Sequence, residues 1–145
     1  MKKLLLMVLA VTIVGLAGCA TRHSSLDATG GVPAMAYIGD QEEMLADIQL
    51  TILELFPGRK MEPIEGQIKG YTTYTRVLLD TYTQQAVLVP TKVTTPEGEV
   101  VQGYALDVSG SGTSGTGLSR NKNFYEVLKQ KFDAKYKRGI PRGLK

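Results

Sequence analysis

The run Tyr71-Thr72-Thr73-Tyr74-Thr75-Arg76-Val77-Leu78-Leu79, followed by Ala86-Val87-Leu88-Val89 and then Val100-Val101-Gln102-Gly103-Tyr104-Ala105-Leu106-Asp107-Val108, decides the fold. β-Branched and aromatic side chains dominate all three segments, and such side chains pack well on a pleated surface, so the pattern predicts three strands. Between the second and third, Thr95-Pro96-Glu97-Gly98 places proline and glycine as a type I turn prefers. That turn predicts an antiparallel hairpin, and a three-stranded meander is the simplest arrangement of the set. Pro90 has no N–H to give a ladder, which puts that end of the second strand at an edge or a bulge.

Working outward, the residues before the strands read as a helix from Gln41 to Phe56. Asp40 and Glu43 have the spacing of a reciprocal N-terminal cap, and Pro57-Gly58 stops the run. Met44, Leu45, Ile48, Ile52, Leu55 and Phe56 form one apolar stripe at helical spacing, opposite Glu43, Asp47 and Glu54. Leu50 and Leu53 fall outside that stripe, so either another element covers them or they form an exposed apolar surface.

After the strands, a second amphipathic helix is predicted from Asn123, with Phe124, Leu128, Phe132 and Tyr136 at successive i, i+4 positions and Tyr125 alongside. Lys129, Lys131, Lys137 and Arg138 lie on its other faces, where a basic end complements the helix dipole. Gly139 is expected to end this helix and leave residues 139–145 as a loose tail. The α-β-β-β-α order predicts an α+β fold, a small two-layer sandwich in which two amphipathic helices cover one face of the three-stranded antiparallel meander.

At the other end, Lys2 and Lys3 precede an apolar run from Leu4 to Ala17 that closes in Leu16-Ala17-Gly18-Cys19. A basic start, a short apolar stretch and small boundary residues are the pattern of a secretory signal, and the apolar run is too short to span a bilayer. The four closing residues resemble the lipobox of bacterial lipoproteins, and the resemblance covers the leader alone. It implies cleavage after Gly18, a thioether-linked diacylglycerol on Cys19 and a further acyl chain, such as palmitate, on the new amino terminus. One acyl chain binds a membrane only marginally, at about 0.8 kcal/mol per buried methylene, whereas several hold firmly. Ala20 stands where an aspartate would signal inner-membrane retention. The resemblance therefore implies the outer membrane, facing the periplasm, with the inner membrane or cell surface as the other destinations.

Residues 1–18 are thus expected to be a cleaved signal peptide and residues 19–36 a lipidated tether, rich in small polar residues such as Thr21, Ser24, Ser25, Thr29, Gly30 and Gly31. Residues 37–138 are expected to form a single domain, because the 127 residues left after cleavage suffice for one core and not two. Cys19 is the only cysteine, so no intramolecular disulfide can form and stability must come from packing.

The overall charge of +3 conceals a division. Residues 19–115 hold six basic and twelve acidic side chains, and residues 116–145 nine basic and two acidic. A basic end on an envelope protein suits anionic lipid, cell wall or an acidic partner protein, and otherwise makes a solvated helix face.

Three constellations invite a chemical reading. Ser109-Gly110-Ser111-Gly112-Thr113-Ser114-Gly115-Thr116-Gly117 lies between a strand and a helix, where phosphate loops occur, but it lacks the lysine of a Walker loop and the βαβ setting of a dinucleotide fold, and reads as a linker. Ser119-Arg120-Asn121-Lys122 matches the Ser-x-x-Lys of penicillin-binding enzymes without that family's other signatures. Glu62, Glu65, Asp80 and Asp107 supply carboxylates whose separations a sequence does not disclose. The one histidine, His23, falls in the tether, so the predicted domain has neither histidine nor thiol for a triad or a zinc site.

These features predict a non-catalytic lipoprotein with an assembly, adaptor or structural role in the envelope, without cofactor or metal and with only the covalent lipid on Cys19. Its membrane contact is the anchor, its expected partner is an envelope protein, and nucleic acid is not expected. The alternative is direct binding of cell wall (peptidoglycan) or anionic glycolipid through the basic C-terminal helix. The candidate interaction surface comprises Leu50, Leu53, Lys129, Lys131, Lys137 and Arg138, and a hydrolase acting through one of the four carboxylates ranks third.

Overall fold

The computed structural model describes residues 21–24, 36–77, 80–112 and 116–142. Among these described residues, seven strands and two helices follow one another as β1 (Thr21–Ser24), β2 (Ala36–Ile38), α1 (Gln41–Leu55), β3 (Lys60–Ile64), β4 (Lys69–Val77), β5 (Asp80–Thr94), β6 (Val100–Gly112), α2 (Thr116–Lys135) and β7 (Lys137–Arg142). From α1 onward the order is α-β-β-β-β-α-β. The three-stranded α-β-β-β-α sandwich expected from the sequence is therefore corrected to a larger antiparallel sheet, in the order β1-β6-β2-β7-β5-β4-β3 with an additional β5–β6 pairing.

The centre of the molecule is the long β5–β6 hairpin, in register from Thr83↔Ser111 to Thr94↔Val100. Its turn is the one expected. Gly98 N donates to Thr95 O at 2.9 Å, Thr95 N donates to Glu99 O at 2.8 Å, and Gly98 takes a φ of 86° that costs glycine nothing. This is a type I turn followed by a left-handed residue, the usual three-residue hairpin connection.

Each long strand changes partner along its outer edge. β5 pairs with β4 from Asp80 to Leu88 and with β7 from Lys92 to Thr94. Pro90 falls in the gap between the two, where a missing N–H costs no pairing on that edge. β6 in turn pairs with β1 over Ser109–Gly112 and with β2 at Tyr104 and Ala105. Because β2 also pairs with β7, the strands β5, β6, β2 and β7 close into a four-stranded antiparallel ring at the turn end of the hairpin.

Both helices lie on one face of the sheet. Alternation along the strands turns Ala86 and Leu88 of β5 and Leu106 and Val108 of β6 toward them. There they meet Met44, Leu45, Ile48 and Ile52 of α1, then Phe56, and Phe124, Leu128 and Phe132 of α2, with Tyr37 and Tyr136. Edge-on ring pairs tie this core together, with centroids 5.2 Å apart for Tyr37–Phe132, 5.4 Å for Phe56–Phe124 and 5.0 Å for Phe132–Tyr136. A smaller cluster of Val87, Val89 and Ala105, with Ile64 against it, occupies the opposite face.

Helix α1 starts and stops where the caps placed it, with Asp40 accepting from Glu43 N at 3.0 Å and Phe56 N donating to Ile52 O at 2.8 Å. Three boundaries differ from expectation. Helix α2 begins at Thr116, not Asn123, and ends at Lys135, so Ser109–Gly112 are strand and the Ser119–Lys122 match lies inside a helix. The tail expected after Gly139 is instead β7, held between β2 and β5. Gly139 therefore does not cap a helix. A β-carbon there would stand 2.1 Å from Val93 Cγ1, so the residue permits close strand approach. The third difference is β3, whose charged residues and Pro63 are tolerated because it is the sheet's edge strand.

Of the expected tether, Thr21–Ser24 pair with β6 and Ala36 opens β2, while its other residues, like the leader and Cys19, lie outside the described residues. Among the described residues no helix is long and apolar enough to cross a membrane.

Candidate functional site

The two helices present the surface anticipated from the sequence. Leu50 and Leu53, three residues apart on α1, are 55% and 49% exposed, while Met44, Ile48 and Ile52 on the other side of the same helix are buried. Nothing in the described fold covers them.

The basic residues of the C-terminal half behave differently. Lys129 Nζ stands 2.8 Å from Asp133 Oδ2, and Arg138 Nε 3.3 Å from Asp133 Oδ1. Lys131 pairs with Glu54 of α1 at 2.5 Å, and Lys137 reaches Glu97 in the β5–β6 turn at 2.8 Å. Lys135 adds a further bond to Asp47 at 2.9 Å. The acidic and basic halves of the sequence are thus used against each other, helix to helix and helix end to hairpin turn.

Two carboxylates anchor this network. Tyr37 donates its hydroxyl to Asp133 Oδ1 at 2.9 Å, and Tyr136 donates to Asp47 Oδ2 at 2.5 Å. Burial acts to raise both carboxyl pKa values, but bonds from Tyr136 and Lys135 to Asp47, and from Lys129 and Tyr37 to Asp133, hold both below their ordinary value. The tyrosines move the other way. Burial and then the bond to Asp47 push Tyr136 up to about 12, and burial with Asp133 raises Tyr37. Glu97 is drawn down to about 2, chiefly by the bond from Lys137.

The scattered carboxylates do not gather. Asp107 lies on β6 and Glu62 on β3, with β5 and β4 between them, so three strand spacings, about 14 Å, separate them. Glu62 is engaged by Lys60 at 2.7 Å, Glu65 follows β3 at the sheet edge, and Asp80 opens β5. Among the described residues no three His, Cys, Asp or Glu side chains are placed to hold a metal ion.

A cluster that no sequence pattern signalled lies where α1 ends. Leu55, Phe56, Pro57, Arg59, Arg120 and Asn123 line a cavity of about 350 Å³. The Arg59 guanidinium carbon lies 4.5 Å from the Phe56 ring centroid, and that of Arg120 lies 5.4 Å from the Tyr82 centroid. Arg59 Nη1 also donates to Oε1 of Gln84, a fully buried residue on the helix-facing side of β5. Gln84 Nε2 has no partner among the described residues. Arg59 and Arg120 are 61 positions apart, and neither stands in a charge run. Only the packing of α2 against the turn after α1 brings them together.

No known family model, curated protein or solved structure matches the chain.

Proposed function

We propose that this chain is a lipid-anchored envelope protein, held by Cys19 at the outer membrane and facing the periplasm, with a non-catalytic assembly or adaptor role toward another envelope protein. The observation that carries the reading is the pair Leu50 and Leu53, which remain about half exposed after the sheet and both helices have assembled. Two leucines one helical turn apart are the kind of anchor that a partner helix or strand buries. The lipobox-like Leu16-Ala17-Gly18-Cys19 supports the membrane location.

The alternative, direct binding of cell wall or anionic glycolipid by the basic helix, meets the ion pairs of Lys129, Lys131, Lys137 and Arg138. Surface pairs such as Lys131–Glu54 are worth about 0–1 kcal/mol each, so a polyanion can compete for such cations, and its binding would weaken steeply with salt.

The test is a mild-detergent pull-down from native membranes with wild type, Cys19→Ala and the double variant Leu50→Ser/Leu53→Ser. The adaptor reading expects one defined protein that survives high salt and is lost with the double leucine variant. Recovery of wall fragments or glycolipid alone, released by salt, would establish the alternative instead.

A further inference from the structure

We propose that Arg59 and Arg120 form a pocket for a phosphate-type oxyanion, a binding site separate from the leucine surface and from the lysine-rich face of α2. Lys129, Lys131, Lys135, Lys137 and Arg138 each have a carboxylate partner, whereas Arg59 and Arg120 share a cavity wall with no carboxylate in ion-pair reach among the described residues.

Two guanidiniums held near one another repel, and Arg59 is half-buried, so removal from water adds to that cost. Burial first, and the Arg120 charge second, depress the Arg59 pKa from its ordinary value. An anion between the two would relieve both effects.

The geometry leaves the right atoms free. Each guanidinium has an aromatic ring against it, Phe56 for Arg59 and Tyr82 for Arg120. A ring holds a guanidinium in place without consuming its N–H donors, and of the five on Arg59 one is spent on Gln84. Two such forks supply more donors than the two oxygens of a carboxylate require, and match the several oxygens of a phosphate. Gln84 itself does not line the cavity; fully buried behind Arg59, its amide holds that guanidinium in place. The cavity, about 350 Å³, falls in the lower range of small-molecule sites.

The same arginines lie beside the C-terminal end of α1, whose carbonyls also favour cations. That purely structural role requires no external anion, so saturable phosphate binding separates the two. The phosphate is either free or carried on a lipid headgroup, and two probes distinguish these sources.

The experiment titrates the full chain in non-ionic detergent with inorganic phosphate, and separately with short-chain phosphatidylglycerol, following melting temperature and backbone amide shifts at constant ionic strength set with chloride. Wild type should respond saturably to at least one probe, with shifts centred on residues 55–59 and 120–123. Arg120→Gln, at an exposed position that should leave folding intact, should bind about tenfold or more weakly, as expected for loss of charged hydrogen bonds. Saturation by inorganic phosphate alone identifies a free ion, and tighter saturation by the lipid identifies a headgroup. A response no different from chloride, or one unchanged in Arg120→Gln, would overturn the proposal.

Discussion

Val93 occupies the space that a side chain at Gly139 would need. A β-carbon built on Gly139 lies 2.1 Å from Val93 Cγ1, and one on Gly103, in the strand on the other side of β5, lies 2.5 Å from Val93 Cγ2. Val93 is fully buried, and this one β-branched residue packs between bare glycines of the two strands that flank it in the four-stranded ring. The strands of so small a ring approach closely, and glycine at these two positions leaves the space that Val93 takes.

Gly139→Ala should therefore destabilise the fold by about 1–3 kcal/mol through overpacking, toward the upper end because Thr94 O also lies 2.9 Å from the new carbon. Val93→Ala should cost about 2 kcal/mol through the lost methyls and the cavity left behind. Chemical denaturation of the two variants and their combination tests the relationship. The double variant should lose clearly less than the sum, and strict additivity would show that the two residues are not in contact.

Tyr37→Phe keeps the ring against Phe132 and removes only the hydroxyl that donates to Asp133. Asp133 retains Lys129 and Arg138, so the cost should be about 1 kcal/mol in urea unfolding. Tyr37→Ala should cost about 3–5 kcal/mol, because it empties a fully buried site in the core.

Stability should fall on acidification below the usual aspartate range. Asp47 and Asp133 both titrate below their ordinary value of 3.8 in the folded protein, so the unfolded chain binds more protons there. Their contribution is complete above pH 3.8 and is lost as the pH drops through the folded-state values. Urea unfolding at successive pH values from 6 to 2 measures this, and Asp133→Asn should flatten part of the slope. An unchanged slope in that variant would assign the acid sensitivity elsewhere.

Leu50→Ser and Leu53→Ser should leave melting temperature nearly unchanged, within about 0.5 kcal/mol, since both side chains are half exposed. Ile48→Ser, on the buried side of the same helix, should unfold the domain at temperatures where wild type is intact. Circular dichroism melts of the three variants distinguish a surface kept for a partner from one that supports the fold.

The sequence by itself determined whatever depends on neighbours along the chain. Helix α1, its Asp40 cap, the Pro57 stop and its buried stripe follow from spacing alone. The Thr95–Gly98 turn and the β5–β6 hairpin follow from turn chemistry and β-branched runs. The leader's resemblance to a lipobox is also a matter of adjacent residues. The tertiary structure alone decided the rest. Strands β2, β3 and β7 are short, charged or proline-containing, and they are strands because the edges of β4, β5 and β6 offer unpaired backbone groups that outweigh weak local preference. Gly139 reads as a helix stop until Val93 is placed against it. The division of charge reads as a basic face until α2 is laid beside Asp47 and Glu54, and Arg59 and Arg120 become a site only when α2 packs against the turn that follows α1. In each case the deciding contact joins residues far apart in the chain, and local pattern carries no record of such contacts.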